Sequence, residues 1–222
     1  MSLQSVLLFV VLPYVAIGQL VPAILFRKLV IRTVHAPELQ PPLARERSDF
    51  AAWLTWFGCL VLIPLHLIPL LFPSASLTVL SWRPLLVAVE LIGWMGGALF
   101  LVGIGLAGWR RLQDPRFGPL RTGLELACLG AVLAATLSGV VVAVTDRWGS
   151  SWYTTVLVPY LRSLLLLRPD PSGLAAMGFW PQLHVATSFL ALALLPFSSY
   201  PPQWIRSWFE FWAGAEQPRS AP

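Results

Sequence analysis

Two histidines carry most of the chemistry this chain can offer. His184 lies in the apolar stretch WPQLHVATSFLALALLPFSSY, Trp180 to Tyr200, about one and a half helical turns from its start. His66 lies in CLVLIPLHLIPLLF, about one and a half turns before the end of an earlier apolar run. An ionisable ring at such depth is expensive unless something uses it. If the two helices run antiparallel, both rings fall at one height. Two neutral imidazoles on facing helices can supply both axial nitrogens to a haem iron, and small residues nearby provide a slot for the ring. The alternative is that each histidine bonds a neighbouring helix and binds nothing. The third histidine, His35, sits in a polar loop, where the ring is ordinarily solvated.

Other polar groups near these two are few. Glu90 is the one carboxylate well inside an apolar run apart from Glu125, which sits near the end of the next. A carboxyl at position 90 can accept a proton from a quinol hydroxyl; a salt bridge to Arg83 or a bond to another helix competes with that reading. Arg83, Arg147, Arg162 and Arg168 fall on the side where the histidines lie and can meet haem propionates or serve as ordinary loop arginines. Ser188, one turn from His184, is a candidate support for its ring.

The elements that must position these groups follow from composition. With 57% hydrophobic and 11% charged residues and a mean hydropathy of +0.72, 222 residues cannot hide their apolar surface in a water-soluble core. The expected fold is all-α and polytopic, a single integral-membrane domain over residues 1–222. Five spans are expected at about 3–26, 50–72, 84–109, 123–144 and 179–200. A segment from Trp152 to Leu167, broken by Pro159 and Arg162, is too short to cross and reads as an interfacial helix on the outer surface. The glycines of the third span allow a close approach of neighbouring backbone or of a flat ligand.

A net charge of +5 and a pI near 9.9 would suggest nucleic acid in a soluble protein. Here the arginines sit at the ends of apolar runs, so they are topology signals and no nucleic-acid partner is expected. Arg27, Lys28 and Arg32 follow the first span instead of preceding it, unlike a secretory signal. Their excess on one side places the N-terminus outside and the C-terminus in the cytoplasm. Cys59 and Cys128 fall inside spans, so no disulfide framework is implied. Without paired broken helices or an inverted repeat, a transporter is disfavoured.

The five spans, with LPYVAIGQLVPAILFR at the start, WRRLQDPRFGPLRTG between the third and fourth, and QLHVATSFLALALLPFSSY at the end, resemble the gamma subunit of respiratory nitrate reductase. The resemblance implies a cytochrome b subunit of the cell (inner) membrane that takes electrons from a quinol near the outer face. They pass to an iron-sulfur subunit, which feeds a molybdenum catalytic subunit. His66 and His184 match the family's outer haem ligands. Trp56 and Pro202 stand where the family has ligands of an inner haem, and three histidines cannot make a second pair, so one haem b is expected. The family's quinol-site lysine region falls near Glu90, with no lysine there. Two functions result: an electron-transfer subunit, or a haem-free anchor that docks a soluble partner.

Overall fold

The computed structural model describes residues 2–20, 22, 48–113, 119–145 and 149–197, and among these every regular element is helical. The elements are α1 (Leu3–Leu20), α2 (Ser48–Leu71), α3 (Pro73–Leu80), α4 (Arg83–Leu112) and α5 (Pro119–Thr145). A composite helix α6 runs as Gly149–Trp152, Tyr153–Leu157 and Val158–Leu165, followed by α7 (Ser172–Ala175) and α8 (Phe179–Leu194). His35, Pro202 and the loop arginines before Ser48 lie outside the described residues.

Among the described residues four helices are long and apolar enough to cross a membrane: α1, α2, α4 and α5. The fifth expected crossing, α8, has 16 residues, about 24 Å of rise. A 3-10 turn at Leu195–Phe197 adds about 6 Å, which brings it to roughly the 30 Å of a hydrocarbon layer. Outward faces are strongly apolar: Leu60 is 67% exposed and Met95 64%. In water such faces would drive aggregation, whereas in lipid they are the solvent-matched side. The protein is a polytopic helical membrane protein.

Glycine sets the closest packing. A Cβ on Gly58 of α2 would lie 2.6 Å from both Cβ and backbone N of Phe100 on α4, and one on Gly103 of α4 would lie 2.5 Å from Thr55 N. The two backbones therefore touch with no side chain between them. On the other side of α4, Gly97 meets Val140 of α5 and Gly108 meets Leu129, while Trp94 Nε1 donates to the Ala143 carbonyl at 2.9 Å. Most glycines of the third span thus serve helix packing. The connection after α2 holds an element the sequence did not suggest: Phe72 leaves helical geometry and Pro73 restarts the chain as α3, since proline is well placed in a first turn.

Two widened turns share one cause. A proline has no N–H for the carbonyl four residues back, and its ring crowds that carbonyl. Two residues before Pro13 and again before Pro159, the helix has opened to π geometry, Leu7–Val11 and Tyr153–Leu157. Pro13 has no N–H to give the Phe9 carbonyl four residues back, and the buried Tyr160 hydroxyl donates to that carbonyl at 2.8 Å. Tyr14 returns the contact, donating to the Leu164 carbonyl at 3.1 Å.

These bonds fix α6 against α1. Leu157, Tyr160 and Leu164 form a core with Phe9, Leu174 and Val185, while Thr155, Pro159 and Arg162 on the opposite face are exposed. The expected amphipathic segment is present, with its apolar face packed on the bundle. It ends with Arg168 N on Ser163 O, Leu167 N on Leu164 O and Leu167 at φ 55°, the double bond pattern of a left-handed helix cap.

The loop that follows is pinned by Asp170, whose carboxylate accepts from Ser172 N at 3.0 Å. Bonds from the Ser172 side chain and backbone hold this carboxyl below the usual carboxylate range. A depressed folded-state pKa means the contribution is present above the unfolded value and lost as pH falls through the folded one. Asp170→Asn is therefore expected to remove part of the loop's acid sensitivity, seen as a flatter pH dependence of proteolysis at this loop below the carboxylate range. Because the group is fully exposed, the effect on global stability is small.

Candidate functional site

Between α2, α4, α5, α6 and α8 lies a cavity of about 690 Å³, large enough for a cofactor-sized ligand. His66, Glu90 and His184 all line it, so the structure brings together the three intramembrane groups singled out from the sequence. Arg83 is exposed at the head of α4 and does not line the cavity. Among the described residues no group of three or more His, Cys, Asp or Glu side chains gathers as a metal cage. The nitrogen donors the cavity offers a metal are the two imidazoles.

The rings of His66 and His184 stand 6.3 Å apart between centroids, with 42° between their planes. Each is held from behind. His184 Nδ1 lies 2.7 Å from the Ala135 carbonyl on α5, and His66 Nδ1 lies 2.7 Å from the Leu62 carbonyl one turn back on α2. A carbonyl only accepts, so both Nδ1 atoms carry the proton and each neutral ring keeps its lone pair on Nε2. That tautomer and that kind of backbone anchor are what a metal-binding histidine needs.

Two positions that hold the rings were not visible in the sequence. A Cβ on Gly139 of α5 would lie 2.7 Å from Cε1 and 2.9 Å from Nδ1 of His184, so the ring occupies the space that glycine leaves. Tyr153 of α6 donates its hydroxyl to the His66 backbone carbonyl at 2.6 Å and sets its ring edge-on to the imidazole, centroids 5.6 Å apart. Burial pushes the Tyr153 phenol up to about 12, so the hydroxyl stays a donor at any pH the protein meets. Ser188 does not support the His184 ring as expected: its hydroxyl donates to the His184 carbonyl at 2.6 Å. At helical spacing the carbonyl one turn back is the nearer acceptor.

Trp56 is half-buried on α2, and Trp53 stacks on Phe57 nearby, centroids 5.3 Å apart and planes 22° from parallel. This end of α2 offers aromatic rings and no histidine.

The family model of the nitrate reductase gamma subunit matches residues 5–200 of this chain. The chain belongs to the nitrate reductase gamma subunit family. The nitrate reductase gamma chain of Bacillus subtilis (strain 168) is 28% identical over 160 residues, covering 69% of this chain and 71% of that relative. The match to the gamma subunit family takes in every helix that lines the cavity and both of its histidines. Membership makes this chain a membrane-embedded subunit of an oxidoreductase complex.

Proposed function

We propose that this chain is a cytochrome b subunit of a nitrate reductase-like complex. In this reading it forms one domain over residues 1–222 of the inner membrane, with the N-terminus outside and the C-terminus cytoplasmic, and passes electrons from quinol through one haem b. The single observation that carries the reading is the His66–His184 pair. A metal bound end-on by two imidazoles, with metal–nitrogen distances of about 2 Å and a ring radius of about 1.15 Å, separates the centroids by about 6.3 Å. The rings here stand 6.3 Å apart.

A b-type haem held by His66 and His184 would supply reversible one-electron transfer within the membrane. The chain's own residues do the rest. Ala135 and Leu62 fix the tautomers of the two rings through their carbonyls. Gly93 and Gly97 add no side chain to the α4 wall of the cavity between Glu90 and Phe100. Glu90, on the same wall, takes a proton from a quinol hydroxyl, and the apolar lining keeps bulk water away from the exchange. Arg83, exposed seven residues before Glu90 on α4, would be the cation available to a carboxylate of the bound group.

Electrons leave to an iron-sulfur subunit and from there reach a molybdenum catalytic subunit. His66 lies 18 residues from the first residue of α2, about 27 Å along the axis, and the aromatic rings between cannot ligate a second iron. Either a partner subunit carries the electrons over that distance, or they are exchanged with a carrier on the outer side.

The test is a reduced-minus-oxidised spectrum of the purified protein. A low-spin b-type signal at one haem per chain is expected, and His66→Ala and His184→Ala are each expected to abolish it while the helical circular dichroism is retained. A well-folded preparation without haem, or full haem binding in both variants, would instead make the chain a haem-free anchor for a soluble partner.

A further inference from the structure

We infer that Tyr153 is a positioning residue for the His66 imidazole and sets the plane in which that ring meets its metal. The inference rests on the haem reading above. It starts from an asymmetry between the two rings. His184 is locked by another helix, through the Ala135 carbonyl and the contact with Gly139. Among the described residues the His66 ring bonds within its own helix, to Leu62, and the residue is exposed. A bond to one's own previous turn fixes the tautomer but restrains rotation of the ring weakly.

Tyr153 supplies the missing restraint from outside α2. Its hydroxyl holds the His66 backbone and its ring edge stands at 86° to the imidazole plane, a favoured aromatic geometry that penalises rotation of either ring. Tyr153 begins the π-widened turn of α6, where the shifted register turns a side chain away from its regular helical direction. Tyr160 and Tyr14 make hydroxyl-to-carbonyl bonds in the same part of the fold, yet neither lines the cavity. Joining helices is a task all three share; facing the imidazole belongs to Tyr153.

The experiment compares Tyr153→Phe with Tyr160→Phe in the full-length protein, by low-temperature EPR of the low-spin ferric haem and by redox titration. The EPR signal reports the angle between axial imidazole planes, and the titration reports the electronic effect of any tilt. Tyr153→Phe is expected to shift or broaden the low-spin signal and to change the reduction equilibrium at least about threefold, with Tyr160→Phe matching wild type in both. Loss of haem from a still helical Tyr153→Phe, with Tyr160→Phe fully loaded, supports the same conclusion. Should Tyr153→Phe fail to accumulate, Tyr153→Leu removes both the hydroxyl and the ring edge, and the same displaced signal is expected. Haem signals unchanged at position 153, or changed equally at both positions, overturn the inference. A wild-type protein with no low-spin signal overturns the haem reading itself and this inference with it.

Discussion

If the chain holds the proposed haem, Gly139→Ala is expected to lower its content per chain at least about tenfold, the scale of effect seen when the support of a metal-binding histidine is removed. The added methyl would stand 2.7 Å from Cε1 of His184, closer than carbon atoms pack. The imidazole is a side-chain end and can move, but movement breaks its 2.7 Å bond to the Ala135 carbonyl and turns Nε2 out of line. The helix itself gains from alanine, so the protein should still insert and keep its helical signal. Gly130→Ala on the same helix is the matched control, because no heavy atom lies within 4 Å of a Cβ there. Haem-to-protein ratios from the pyridine haemochrome spectrum decide the matter: equal loading of the two variants would show that the ring does not depend on the glycine.

The second large effect is structural. Gly58→Ala places a methyl 2.6–2.7 Å from the backbone N and Cα of Phe100, atoms that cannot rotate away, so α2 and α4 must separate. Overpacking a tight contact costs about 1–3 kcal/mol and more when backbone must shift. For a chain of this size, about 3 kcal/mol corresponds to a fall of roughly 6–12 °C in midpoint. Thermal melts of the helical signal in detergent should show that fall for Gly58→Ala. Gly105→Ala, where a Cβ meets nothing within 4 Å, should be neutral or slightly stabilising. Since α2 carries His66 and α4 carries Glu90, the same separation should widen the cavity and, in the proposed haem reading, weaken haem retention in parallel.

What the sequence disclosed and what it withheld divide along physical lines. The crossings were legible because a bilayer demands a run of fixed length, and the runs at 50–72, 84–109 and 123–144 reappear as Ser48–Leu71, Arg83–Leu112 and Pro119–Thr145. The described part of the first span ends at Leu20, and the rest of that expectation lies outside the described residues. The pairing of His66 with His184 was legible because ionisable groups are so rare in such runs that two at matching depth have few other partners.

Gly139 and Tyr153 were hidden for the opposite reason. A glycine in a span has many uses, and only the neighbouring helix tells which one applies. Tyr153 looked like part of an interfacial segment until α6 was seen to turn its apolar face onto the bundle. Ser188 misled because a spacing of four places a hydroxyl beside its own helix carbonyl more readily than beside a ring. The π-widened turns had a signal in Pro13 and Pro159, and the Phe9 carbonyl, to which Pro13 offers no N–H, is a place where a donor from another helix should be sought in such sequences.

The wall of the cavity draws on residues from Leu62 to Leu192, and the Tyr153 clasp on His66 joins positions 87 apart. During biosynthesis the earlier helices leave the ribosome with only one of the two facing imidazoles, since His66 lies on α2 and His184 on α8. Closure of the cavity thereby waits on the docking of α8, and a chain without that helix has neither the second ring nor the wall that faces the first.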